Sequence, residues 1–82
     1  MLQPWLQQKR TVADLEARHR HDGIPFGFLH ERWEQLKASM QEGDELWEFR
    51  SPPETWEHLM GRAGVALVRD GVIIDFMVTV LN

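Results

Sequence analysis

Apolar residues are concentrated most densely at the C-terminal end of this chain. The segment Val72–Leu81 is apolar on both of the faces that alternate along a strand. It follows Asp70-Gly71, the residue pair that a tight type I′ turn prefers, and the apolar segment Gly64–Arg69 precedes that turn. This pattern predicts a β-hairpin whose second strand is covered on both faces. The predicted register places three pairs opposite one another: Val68 and Ile73, Leu67 and Ile74, and Val65 and Phe76.

The middle of the chain has the spacing of an amphipathic helix. Four apolar residues fall on one helical stripe: Leu29, Trp33, Leu36 and Met40. They predict a helix from Phe28 to Gln41. Capping signals predict two shorter helices. The first has Thr11 as its N-cap and ends near His21, and the other begins at Ser51-Pro52-Pro53 and ends at Gly61.

The alternation of Asp44–Arg50 predicts one further strand, with Trp47 and Phe49 on the same face. The predicted order is therefore α-α-β-α-β-β. It corresponds to an α+β fold, in which a three-stranded antiparallel sheet is packed by two to three helices. Residues 1–82 are expected to form one small domain, and residues 1–10 are the part of it expected to be loosely ordered.

The position of Val72–Leu81 in this sheet has two interpretations. Because both of its faces are apolar, we expect it in the centre, between the strands Asp44–Arg50 and Gly64–Arg69. The alternative is an edge strand that is hidden in a homodimer, since a bare apolar edge invites association. The candidate dimer interface consists of Val72, Ile74, Phe76, Val78 and Val80.

Composition removes several classes of protein. The chain has no cysteine, which excludes disulfides, thiolate-zinc sites and cysteine nucleophiles. No apolar segment approaches the roughly 18 residues that a membrane span needs. The first residues also lack the basic start and long apolar core of a signal peptide. These features predict a cytoplasmic protein without membrane contact.

Charge is distributed unevenly along the chain. The total is −4, and residues 31–57 carry eight acidic and three basic residues. Such an acidic segment repels nucleic acid and favours a protein partner with a basic surface. The candidate partner-binding residues are Trp5, Glu42, Asp44, Glu45, Glu48, Glu54 and Glu57. Trp5 is included because it lies in a polar segment, where it either packs on the core of its own chain or, as exposed tryptophans often do, anchors an interface with another chain.

Motifs for catalysis are absent from the sequence. It contains neither a phosphate-binding glycine loop nor a G-x-S-x-G motif, and no two histidines have the i,i+4 spacing of a helical metal site. We therefore expect no catalytic residue, no metal and no cofactor. Any metal or catalytic site requires His30 or His58 to meet the carboxylates of Glu42–Glu48 through the fold.

Two segments carry a resemblance to known sequences. Gly43–Trp56 contains Gly-Asp-Glu-Leu-Trp followed by Ser-Pro-Pro, and Gly61–Gly71 contains Gly-Arg-Ala-Gly followed by Leu-Val-Arg-Asp-Gly. Together they resemble short uncharacterised bacterial proteins. The resemblance implies a bacterial or phage-borne protein, and it implies no activity, cofactor or site residue.

The leading interpretation is a non-enzymatic protein-interaction domain. Its sharper version is a small acidic inhibitor that docks on a basic, nucleic-acid-handling protein. A homodimer is compatible with either version. The alternative is a small metal- or ligand-binding domain, or an enzyme, that uses His30 or His58 with the Glu42–Glu48 carboxylates.

Overall fold

A computed structural model describes residues 3–82 of the chain. They form an α+β fold, in which helices lie against an antiparallel sheet. Three α-helices span Val12–Arg18 (α1), His30–Ala38 (α2) and Pro53–Glu57 (α3). Six strands span Leu6–Arg10 (β1), Arg20–His21 (β2), Ile24–Pro25 (β3), Glu45–Arg50 (β4), Arg62–Arg69 (β5) and Val72–Leu81 (β6). Short 3-10 turns occupy Gln3–Trp5 and Gly27–Leu29.

The main sheet has four strands in the order β1-β4-β5-β6, and all neighbours are antiparallel. The prediction of three strands with β6 in the centre is therefore wrong. The interior positions belong to β4 and β5, and β5 is the more buried of the two, with Gly64–Val68 all buried. Two of these residues, Gly64 and Ala66, are small, so the neighbouring strands and their side chains can pack closely against β5. Among residues 3–82, β6 pairs with β5 alone and forms an edge of the sheet.

The fourth strand, β1, was missed because its sequence has no apolar alternation. Four of its five residues are polar. It is a strand because its backbone pairs with β4, for example Lys9 opposite Trp47 and Arg10 opposite Leu46. Pairing with a partner strand, and not local preference, defines this element.

The C-terminal hairpin has the predicted turn and part of the predicted register. Asp70 and Gly71 have φ values of 51° and 78°, as a type I′ turn requires. Val68 faces Ile73 as predicted, but an irregularity then shifts the register by one residue. Leu67 therefore faces Asp75, and Val65 faces Met77. This irregularity places Ile74 outside the paired register and makes it an extra residue in β6.

A second Asp-Gly turn joins β2 to β3. Asp22 and Gly23 have φ values of 54° and 79°, nearly the same as in the C-terminal hairpin. The predicted N-cap Thr11 is confirmed, and its capping box with Asp14 begins α1. However, α1 ends at Arg18, so the prediction of a helix that continues to His21 is wrong. The last residues of that predicted helix pair with β3 instead.

The hydrophobic core lies between the helices and one face of the sheet. It consists of Leu15, Phe26, Trp33, Leu36, Leu46, Val65, Leu67 and Met77. Trp33 is fully buried, and its indole N–H donates to Glu16 at 2.8 Å. The opposite face of the sheet buries Phe49, Ala66 and Val68. Helices α1 and α2 cover the face that carries the core, and the described molecule is flat, with extents of 35 × 34 × 17 Å.

An ion pair fixes the segment between α2 and β4. Asp44, whose side chain is 1% exposed, accepts two hydrogen bonds from Arg69 at 2.9 and 2.8 Å and one from the Gln41 N–H at 2.8 Å. The Arg69 hydrogen bonds are the main cause, and the Gln41 hydrogen bond the second, of a lowering of the pKa of Asp44 from 3.8 to about 2. The folded state therefore favours the ionised carboxylate.

We expect the Asp44–Arg69 ion pair to make the free energy of unfolding depend on pH in the acidic range. Because the pKa of Asp44 is lower in the folded than in the unfolded chain, its contribution is complete above pH 3.8 and is lost as the pH falls toward 2. The variant Asp44→Asn should be less stable than the wild type at pH 6, and the difference should narrow by pH 2. Urea denaturation of the variant and the wild type at several pH values measures this difference and its change with pH. Asp22→Asn, in an exposed turn, is the control for the loss of one acidic side chain. A stability difference between Asp44→Asn and the wild type that stays constant with pH would contradict this role of Asp44.

Candidate functional site

Exposed apolar side chains are concentrated on β6. Five of them define what we call the β6 surface: Val72, Ile74, Phe76, Val80 and Leu81. Ile74 and Phe76, in the middle of the strand, are 42% and 43% exposed. Four of the five predicted dimer-interface residues therefore belong to this surface, and the fifth, Val78, is half-buried. A concentration of this kind is typical of an interaction site.

A hollow of about 680 Å³ borders β6 near its hairpin turn. Phe76 and Val78 line one side of it, and Trp5 and Arg62 also contribute. The N-terminal turn is held close to β6 because the Gln3 side chain donates to the carbonyl oxygen of Gly71 at 2.7 Å. Trp5 is half-buried on its own sheet, next to the β6 surface. Trp5 also borders the segment Arg50–Pro53, which leads into α3.

A second hollow, of about 600 Å³, borders the C-terminal half of β6. Thr79 and Val80 line it together with residues of the β3–α2 segment, among them Ile24 and Phe28. Phe28 is 97% exposed, and Ile24 is also exposed. The apolar surface thus continues from β6 onto the segment that precedes α2.

An ion pair spans the outer edge of β6 in its middle. The Arg32 guanidinium on α2 donates to the Asp75 carboxylate at 2.7 Å and to the carbonyl oxygen of Phe76 at 2.8 Å. The same oxygen atom of Asp75 accepts the backbone N–H of Phe76 at 2.8 Å. Side chains of the same molecule therefore bind both backbone polar groups of Phe76. We call Arg32 and Asp75 the edge clamp.

The edge clamp was missed by sequence reasoning, although one signal was present. Asp75 is the only ionisable residue among the ten residues of β6. A single charge in an otherwise apolar strand is a known device of sheet edges. Arg32 carried no signal of its own, because its meeting with Asp75 depends on how α2 crosses the sheet.

Three of the six acidic residues of the predicted site are bonded within the chain. Asp44 is paired with Arg69, as described above. Glu45 accepts the indole N–H of Trp47 at 2.9 Å and contacts Lys9 at 3.2 Å. These hydrogen bonds, with that of Trp47 as the larger cause, lower the pKa of Glu45. The remaining three residues, Glu42, Glu54 and Glu57, are exposed.

Glu48 is surrounded by basic side chains on the helix-covered face of the sheet. Its oxygens lie 2.6 Å from Arg10 Nε, 3.6 Å from Arg18 Nε and 3.5 Å from His19 Nε2. Burial raises the pKa of Glu48, but the Arg10 hydrogen bond and the charges of Arg18 and Arg10 outweigh it, so the pKa is lowered. Glu48 therefore acts as a counter-ion inside the fold.

The histidines of the alternative metal or catalytic site are not assembled. His30 Nδ1 lies 2.9 Å from the carbonyl oxygen of Pro25, and its Nε2 lies 3.7 Å from Glu34. His58 is an exposed residue at the C-terminal end of α3. Within residues 3–82, no three histidine or acidic side chains are placed to hold a metal ion.

Comparison with known proteins adds no further residue to this site. Family models, curated proteins and solved structures all gave no match to the chain. Among the helices of residues 3–82, none has the length and apolar composition needed to cross a bilayer.

Replacement of Glu48 tests whether it is structural. We expect Glu48→Gln to lower the free energy of unfolding by about 1–3 kcal/mol, because Arg10 and Arg18 lose their counter-ion in a partly buried place. Glu45→Gln, in the more exposed pair with Lys9, is the matched control and should lower the free energy of unfolding clearly less. Urea denaturation of both variants gives the comparison. Equal losses would mean that Glu48 is an ordinary surface acid.

Proposed function

We propose that this chain is a non-enzymatic protein-interaction domain that binds its partner through the β6 surface. The observation that carries the proposal is the exposure of five apolar side chains on one edge strand, with a hollow on each side of it. Full burial of a side chain of this size contributes about 1.5–3 kcal/mol, and a partner would gain the part of it that corresponds to the fraction still exposed on β6. Two or three such side chains in a partner's interface provide a useful affinity after the costs of association.

The acidic-inhibitor version of this function has less support. It requires carboxylates that are free to meet basic groups of a partner. Asp44, Glu45 and Glu48 are engaged with arginine, lysine or tryptophan side chains of the same chain. Only Glu42, Glu54 and Glu57 are left as candidates for an acidic contact, and none of them lies on β6.

The ligand-binding or enzymatic alternative has no comparable support. His30 bonds to groups near it in sequence, His58 is exposed, and three of the four carboxylates serve as counter-ions. A catalytic pair of carboxylates needs one member with a raised pKa. In contrast, the pKa values of Asp44, Glu45 and Glu48 are all lowered.

Two double variants separate the apolar from the acidic version. Ile74→Lys/Val80→Lys places charge on the β6 surface, and Glu54→Lys/Glu57→Lys reverses charge on α3. All four side chains are exposed, so both variants should fold, which circular dichroism and thermal unfolding verify. The tagged wild type and both variants are used to capture proteins from a lysate of the source organism.

We expect a partner that is retained by the wild type and by the α3 variant. The β6 variant should bind it at least roughly tenfold more weakly, because charged side chains replace central apolar contacts. Isothermal titration with the purified partner gives the affinities. Loss of binding in the α3 variant alone would support the acidic version and contradict the proposal.

A further inference from the structure

We propose that the hollow between the N-terminal turn and β6 binds a free, unbranched alkyl carboxylate, the chemical class of the fatty acids. The Arg62 guanidinium and the indole N–H of Trp5 bind the carboxylate, and apolar side chains of β6 contact the alkyl chain. This inference goes beyond the proposed function, because it assigns a small-molecule ligand and requires no protein partner.

The hollow has the size of a small-molecule site and is elongated along the sheet. Its volume of about 680 Å³ lies within the range of such sites. Val78, at one end of the lining, pairs with Gly64, and Val72, at the other end, pairs with Arg69. The β5 segment between these two pairs has a length of about 17 Å. A hollow of this shape suits an extended chain.

The walls of the hollow are apolar over most of this length. Ile73, Ile74 and Phe76 contribute from β6, and the Trp5 ring contributes from the N-terminal turn. The Phe76 ring is held in place by its edge-to-face contact with Phe49. Because each methylene group of a ligand gains free energy when apolar surface covers it, these walls favour an alkyl chain.

Two hydrogen-bond donors that line the hollow have no partner within residues 3–82. No carboxylate forms an ion pair with the Arg62 guanidinium. The other three tryptophans each donate their indole N–H to an oxygen of the chain, whereas the indole N–H of Trp5 has no acceptor there. Both donors are therefore available to a ligand.

Strand pairing places these two donors at the same end of the hollow. Leu6, which follows Trp5, pairs with Phe49, and Phe49 pairs with Gly64. Arg62 precedes Gly64 by two residues on β5, so the two residues share a face of the strand. The opposite end of the hollow, at the hairpin turn, is apolar. The hollow thus has a polar end and an apolar end, as a fatty acid has.

Charge complementarity selects a carboxylate as the head group. The planar guanidinium of an arginine matches the two oxygens of a carboxylate, and an indole N–H supplies a further donor. Asp75, the one carboxylate among the described residues that line the hollow, is already paired with Arg32 at 2.7 Å. A cationic ligand therefore finds no free counter-ion, whereas an anionic ligand finds Arg62.

Titration of the purified chain with decanoate, below its micelle concentration, tests the head-group contacts. We expect the wild type to bind decanoate at least roughly tenfold more tightly than decanol, which has the same chain without the charge. Arg62→Gln should remove most of this difference and leave the affinity for decanol unchanged. Trp5→Phe, which keeps a ring but has no N–H, should weaken the binding of decanoate by a smaller factor. Isothermal titration gives the affinities.

Two further variants serve as controls for the position of the ligand. Arg20→Gln removes an exposed arginine that does not line the hollow, so it should leave the affinity for decanoate unchanged. Ile74→Gln, which places an amide among the apolar walls, should weaken the binding of both decanoate and decanol. Thermal unfolding without ligand verifies that each variant folds.

Four results would overturn the proposal: no binding of decanoate by the wild type, equal affinities for decanoate and decanol, equal losses in Arg20→Gln and Arg62→Gln, or unchanged affinities in Ile74→Gln. Every titration uses the purified chain with no other protein present. The capture of a partner from a lysate therefore tests the proposed function separately, and failure of either experiment leaves the other proposal standing.

Discussion

The burial of β5 on both faces is the constraint on which the rest of this structure depends. Helices α1 and α2 cover one face through Leu15, Trp33 and Leu36. On the other face, large side chains of the sheet itself provide cover, and Phe49 packs edge to face with Phe76, with the ring centroids 6.1 Å apart. With β5 in the centre, β6 is left at an edge, and its apolar residues are only partly covered.

The local elements were predictable where one short signal decides them. The Thr11 cap, the apolar stripe of α2 and the Asp70-Gly71 turn depend on neighbouring residues only. The Asp22-Gly23 turn has the same chemistry, but polar residues precede it, so apolar flanks did not reveal its strands. The choice between β5 and β6 as central strand was beyond local signals, because both are apolar and only the packing of the whole sheet separates them.

The candidate site was likewise predictable only where a local property of the sequence decides it. Sequence reasoning found the apolar residues of β6, because composition along one strand is a local property. It overestimated the acidic cluster because the basic partners are remote in sequence: Lys9 and Arg10 approach from β1, and Arg69 from β5. A formal charge of −5 over one segment says little about surface potential when the fold brings counter-ions from elsewhere. The edge clamp depends equally on a contact between distant segments.

The flatness of the molecule has a hydrodynamic consequence. With one layer of helices on one sheet, its thickness is 17 Å, half of its other two dimensions. A copy that joins at the edge of β6 continues the sheet sideways and leaves the thickness unchanged, so the assembly is an elongated plate. Such a plate experiences more friction than a compact particle of equal mass. A copy stacked on the sheet face opposite α1 and α2 would instead form a rounder particle. The sedimentation rate at known mass therefore distinguishes the two geometries.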